Sequence, residues 1–118
     1  MKIPRTIKIG AQRIKVVVVP SVVMDDEEVL GISKSVIGRI EVASRFEGYE
    51  VPEDSMADTF LHEVIHATSC TYGCDLTENQ VNGLAGGLLQ VIRDNNLDFR
   101  KVVVMAKKKK GGKKKGCK

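Results

Sequence analysis

An α+β domain, a small antiparallel sheet of about three strands packed on two helices, is the fold class the sequence predicts, and three observations predict it. Apolar and polar residues alternate through the N-terminal third, the spacing switches from two to about 3.6 after Pro52, and Thr77 with Gln80 marks the start of a second helical stretch.

Taken in order, "TIKIGAQRIKVVVV" places Ile7 and Ile9, then Ile14, Val16 and Val18, on one face with Lys8, Arg13 and Lys15 on the other. With "GAQ" between the two runs this is a hairpin pattern, and Pro20 stops its second strand. "SVVMDDEEVLGISK" has no clean period, and its four acids at residues 25–28 read as loop. "SVIGRIEVAS" predicts a third strand in which Val36, Ile40 and Val42 share a face, with Gly38 marking a bulge or a close backbone approach.

From Pro52 the pattern predicts a helix over about residues 53–70, with Glu53, Asp54 and Asp58 near its positive end and Phe60, Leu61, Val64, Ile65 and Ala67 as a buried stripe, ending near Gly73. The second helix opens at "DLTENQ", where Thr77 and Gln80 fit a capping box and Asp75 is a competing cap, and it runs through Val81, Leu84, Ala85, Leu88, Leu89 and Ile92 to "RDNN". Gly83, Gly86 and Gly87 each cost about 1 kcal/mol of helix propensity relative to Ala, which points to close helix packing. "LDFRKVVVMA" fits either a last short strand or a docked tail.

A chain of 118 residues, 42% apolar and 29% charged, has room for one modest core, and with no Trp, two Tyr and three Phe that core is built from Val, Ile and Leu. The net charge of +4 divides unevenly. Residues 107–118, "KKKKGGKKKGCK", hold eight Lys and no acid, leaving residues 1–106 with 11 of the 19 basic groups against all 15 acids. Residues 1–106 are therefore expected to form the domain, and the Lys/Gly run to be a disordered tail. Such a tail suits nucleic acid or another acidic partner through counterion release, or serves only as a solubilising end.

No stretch approaches the apolar length of a bilayer span, and Pro4, Arg5 and Lys8 stand where a signal peptide would have its apolar region, so a cytoplasmic location is expected. Three cysteines argue against a disulfide framework, although Cys70 and Cys74 could pair if oxidised.

Both histidines of the chain lie in "HEVIHATSCTYGCDLTE", residues 62–78. Positions four apart on a helix differ by about 400° of rotation and roughly 6 Å of rise, so His62 and His66 project from one face and can share an ion. Glu63 lies beside that pair, which is the HExxH arrangement: two imidazoles ligate zinc, and the carboxylate takes a proton from a water whose pKa the zinc lowers from about 15.7 toward 7. A catalytic zinc takes three protein ligands and keeps one position open, and with no third His the last ligand is an acid or a cysteine. Glu78 stands first, at the start of the second helix after a short turn-rich connection, and Asp75 second. Cys70 and Cys74 are the remaining candidates, and with thiolates the site would be a closed, structural zinc. Partly buried helix histidines with no metal are the plainer reading of the same pattern.

"TFLHEVIHATSC" followed by "TENQVNGLAGGLLQVIRDNN" resembles the two-helix core of the small ImmA/IrrE-type metallopeptidases common in phages and mobile elements, a minimal gluzincin-like zincin group. That family's second-helix pattern is met by Glu78, Val81, Asn82, Leu84, Ala85, Leu88 and Leu89, with Val81 replacing a small residue, and the match covers residue 56 to about 96. The resemblance implies His62, His66 and Glu78 as zinc ligands and Glu63 as general base, then proton donor to the leaving amine. Under it, Asn82 orients a ligand or packs between helices, and Tyr72 either offers a hydroxyl to the oxyanion or covers the core as a loop residue. It also implies an exposed sheet edge that pairs with an extended peptide, assigned to "GRIEVAS" with Arg39 and Glu41. The CxxxC of Cys70 and Cys74 departs from the family pattern, and the Lys tail has no counterpart in it.

The expected function is thus a zinc peptidase acting on a protein, such as a regulator in the same cell, which is the host cytoplasm for a phage-encoded chain. The alternatives are a binding module in which zinc only braces the helices while the tail recruits nucleic acid or an acidic partner, and a metal-free interaction domain.

Overall fold

A computed structural model describes residues 2–99; the Lys-rich run and the "VVVMA" segment lie outside the described residues. The α+β class is as expected: short strands come first and two helices follow. The strands are β1 (Thr6–Ile9), β2 (Gln12–Val19), β3 (Val22–Met24), β4 (Glu27–Val29), β5 (Gly31–Lys34), β6 (Arg39–Ala43), β7 (Arg45–Phe46) and β8 (Tyr49–Glu50), and the helices are α1 (Glu53–Tyr72) and α2 (Glu78–Asn95).

The main sheet has four strands in the order β1-β2-β6-β5, against the about three expected, and is not wholly antiparallel. The β1–β2 hairpin forms as the alternation predicts, with Ile7 opposite Ile14. Its inward face ends at Val16, since Val18 is 47% exposed. The third predicted strand joins β2 in parallel, Val16 opposite Ile40 and Val18 opposite Val42, and β5 then pairs antiparallel on its far side. Parallel pairing requires an intervening crossover, and the stretch read as loop supplies it. Asp25 and Asp26 both have positive φ, 54° and 65°, and form the two-residue turn of a β3–β4 hairpin. A second small hairpin, β7–β8, turns on Glu47 and Gly48.

The predicted third strand also starts late. Ser35–Ile37 form a single 3₁₀ turn closed by Gly38 in the left-handed region at φ 66°, so Val36 is 96% exposed and not part of the inward face. A Cβ at Gly38 would lie 3.0 Å from Gln12 Nε2 and 3.2 Å from the Arg13 carbonyl, which is the close approach the lone glycine signals. Beyond it Ile40 and Val42 are fully buried and meet Ile9, Ile14, Val16, Phe60 and Ala67 in the core. Each such Ile or Val contributes about 1.5–3 kcal/mol of burial free energy.

Helix α1 lies on this core and α2 packs against α1, so the sheet rests chiefly on one helix. Pro52, with extended backbone, caps α1; Glu53 and Asp54 occupy its first turn, and Gly73 ends it in the left-handed conformation. Both bonds of the α2 capping box are present: Gln80 N–H donates to Thr77 Oγ1 at 3.1 Å and Thr77 N–H to Gln80 Oε1 at 2.9 Å. Asp75 is not the cap. Helix α2 buries only Val81, Ala85 and Leu89. The glycines predicted to serve helix packing do not: nothing lies within 4 Å of a Cβ built on Gly83, Gly86 or Gly87, because these positions fall on the outward side of α2. Among the described residues no helix is long and apolar enough to cross a membrane.

Candidate metal centre

One turn apart on α1, His62 and His66 bring their Nε2 atoms to 3.1 Å, with ring centroids 4.7 Å apart and planes inclined at 65°. Glu78 reaches both from the first turn of α2, Oε2 lying 3.0 Å from His62 Nε2 and Oε1 2.9 Å from His66 Nε2. Their donor atoms all fall within 4.8 Å of one another, so among the described residues this His-His-Glu group could hold a metal ion. The chemistry of the donors fits that use. A tetrahedral ion with bonds of about 2.0–2.2 Å separates its ligand atoms by about 3.3–3.5 Å, only a few tenths of an ångström beyond the separations here. Two imidazole nitrogens facing each other, with a carboxylate across both, also need a cation or a proton between them.

The connection between the helices positions Glu78. Gly73 N–H and Cys74 N–H both donate to the Ser69 carbonyl, and Leu76 N–H donates to Ser69 Oγ at 3.2 Å, so the buried Ser69 fastens the turn. Asp75 bends the chain with φ 57°. The capping box at Thr77 then starts α2 with Glu78 as its first residue.

Glu63 is buried, 7% exposed, on the wall of the groove that holds the triad. Burial pushes its carboxyl above the usual carboxylate range; His62 and His66 oppose that shift, and the charge of Glu78 adds to it. Opposite stands β5, at unusually close range. A Cβ on Gly31 would lie 2.6 Å from Thr59 Cγ2, 3.0 Å from the Glu41 carbonyl oxygen and 3.3 Å from Glu63 Cγ. Only glycine leaves α1 and β5 this near each other beside the Glu63 side chain.

Comparisons with protein-family models, curated proteins and solved structures found no match to the chain.

Of the other residues singled out in the sequence, Asn82 lies on the groove wall one turn after Glu78 and is exposed, not packed between helices. Tyr72 is the last residue of α1, 64% exposed, and lines a separate hollow with Gly10, Phe60 and Val64, not the groove of the triad. Asp75, Cys70 and Cys74 stay outside the donor group, both thiols free and exposed, while Cys70 and Asp75 border a shallow hollow behind His66. The peptide edge assigned to "GRIEVAS" is corrected. Strand β6 is paired on both sides, and Arg39 and Glu41 bond to each other at 2.6 Å on it. Among the described residues the sheet edge beside the groove belongs to β5.

Sequence reasoning missed Gly31, Thr59 and Ser69. A glycine inside the strand-like "GISK" was the available signal for the first; Thr59 and Ser69 carry no signal that separates them from ordinary helix residues.

Proposed function

We propose that this chain is a zinc-dependent peptidase that hydrolyses a peptide bond in a protein substrate. The observation that carries the reading is the convergence of His62, His66 and Glu78 within 2.9–3.1 Å of one another, on a groove whose wall also holds the buried Glu63. Two nitrogens and one carboxylate are a common catalytic zinc set, and they leave room for a further ligand. The sequence resemblance to ImmA/IrrE-type metallopeptidases points the same way.

A zinc ion held by these residues supplies a Lewis acid that brings water's pKa from about 15.7 toward 7. The chain's own contributions are specific. Glu63, held away from bulk solvent, accepts the proton of the attacking water and returns it to the leaving amine. The edge of β5, unpaired among the described residues, gives an extended peptide backbone groups to bond with, which would hold the scissile bond along the groove.

Glu63→Gln tests the reading. It should abolish cleavage of a denatured protein substrate while leaving about one zinc per chain. Undiminished turnover in that variant, or purified protein that carries iron in place of zinc, would overturn it, since a His-His-carboxylate set also serves iron oxygenases. A zinc-braced binding module remains the second reading, favoured by the fact that the three donors tie α1 to α2. It predicts intact zinc, no cleavage by wild type, and a melting temperature that falls on chelation.

A further inference from the structure

The groove beside the triad is asymmetric. It encloses about 600 Å³, within the range of small-ligand sites. Its helical wall is polar, with Asp58, Glu63 and Glu78, whereas the strand wall carries Met24, Val29 and Leu30 from the β3–β4 hairpin and the link into β5. Met24 is 45% exposed and Leu30 40%, although Val22 two residues before Met24 is fixed in the protein at 2%. The hairpin is thus anchored at its base and presents uncovered apolar side chains to the groove. Among the described residues no Lys or Arg lines it, and the hairpin tip continues the acidic character with Asp25, Asp26 and Glu27, all exposed.

We propose that Met24, Val29 and Leu30 form a specificity subsite that takes one apolar side chain of an extended peptide, with basic residues favoured and acidic ones disfavoured on its flank. This rests on the peptidase reading and names its substrate class. Three observations combine. Side chains alternate along a strand, so a peptide paired on the free edge of β5 directs every second residue to the same side. Leu30 immediately precedes β5, which sets the apolar wall within one residue of that pairing edge. Finally, exposed apolar surface next to a concave polar site is how binding clefts separate affinity from orientation. Each methylene removed from the seated side chain is worth roughly 10-fold in such a pocket, so removing several lowers the preference by about 100-fold or more.

The experiment uses the full chain with zinc. Peptides of one scaffold, with Leu, Met, Ala or Glu at a single position and Lys or Glu beside it, are offered to wild type for cleavage, read by mass spectrometry. The same peptides are offered to Glu63→Gln for binding, read by fluorescence anisotropy. Leu or Met should be preferred over Ala by about 100-fold or more and over Glu by more still, and Lys-flanked peptides should lose their advantage at high salt. Met24→Asp should erase the apolar preference with zinc content unchanged, and Met24→Ala should shift it toward larger side chains. Cleavage by wild type with no side-chain preference, or a preference that Met24→Asp leaves intact, overturns the subsite while the peptidase reading stands. Selective binding to Glu63→Gln with no cleavage by wild type upholds the subsite and overturns the reaction. Neither binding nor cleavage of any peptide overturns both.

Discussion

Replacing Gly31 with Ala should destabilise the protein and impair its site from a position that is no metal donor. The new methyl carbon would sit 2.6 Å from Thr59 Cγ2, against a comfortable carbon–carbon separation of about 3.5–4.0 Å, so something must retreat by about 1 Å. Little is free to do so. Thr59 is β-branched, stiff on a helix and 8% exposed, and on the other side the Glu41 carbonyl at 3.0 Å is backbone of a central strand. Overpacking of this kind costs about 1–3 kcal/mol, which in a domain of about 100 residues lowers Tm by roughly 4–8 °C per kcal/mol. Thr59→Ser removes the nearest obstruction. The double variant should therefore be less destabilised than the two singles added together by about 1 kcal/mol, the signature of direct contact. Glu63 Cγ, 3.3 Å from the same methyl, should move as β5 or α1 gives way. A misplacement of about 1 Å at a reacting group costs on the order of 100-fold in rate, so peptide cleavage should fall while zinc content holds. Thermal unfolding of the four proteins, followed by circular dichroism, decides the matter. A Gly31→Ala protein within about 0.5 kcal/mol of wild type, or strict additivity with Thr59→Ser, would refute the claim that this contact is tight.

Glu78→Ala should weaken zinc binding by more than the roughly 10–100-fold that outer hydrogen-bond partners of ligands are worth, whereas Asp75→Ala and Cys70→Ser should leave it near wild type; competition with a chromophoric chelator measures all three. Gly87→Ala should raise stability by about 0.5–1 kcal/mol, because the added methyl meets nothing within 4 Å and the helix gains propensity; a loss in urea unfolding would mean that the outward side of α2 is not open. For Glu41, the bond from Arg39 outweighs burial, and Lys34 adds to it, so its carboxyl is held below its ordinary 4.5. A depressed carboxyl contributes stability that is fully present above the unfolded-state value and disappears as pH falls through the folded-state value. Glu41→Gln should thus cost about 0.5 kcal/mol at neutral pH and progressively less as pH falls below the unfolded-state value, which unfolding measured from neutral into acid compares.

Where the chain repeats a pattern for long enough, its sequence reveals the element. The eight residues of β2 and the two long helices are legible from period alone, and Thr77, Gln80 and Gly73 mark their ends by chemistry that acts within a few residues. Strands β3, β4, β7 and β8 are two or three residues long, too short for alternation to show, and they exist because turns at Asp25-Asp26 and Glu47-Gly48 fold them back. The parallel pairing of β2 with β6 was invisible for a different reason. Which edge a strand joins is decided by what intervenes, and the acids of residues 25–28 are equally good loop and hairpin tip.

The triad was legible to the same degree as the elements that carry it. His62 and His66 need only one helix, and their spacing suffices. The third donor depends on two helices meeting, yet part of that answer lies in the register of α2. Glu78 precedes Val81, Ala85 and Leu89 by three, seven and eleven residues, which puts it on the stripe that packs against α1. Burying Val81 therefore swings the Glu78 carboxylate toward the helix that holds the imidazoles. Asp75, three residues earlier, stands before the cap and follows the left-handed bend of its own backbone. What no periodicity contains is the height at which the stripes meet. Ser69 sets that, by fastening Cys74 and Leu76 so that a link of only residues 73–77 returns the chain level with His62 and His66.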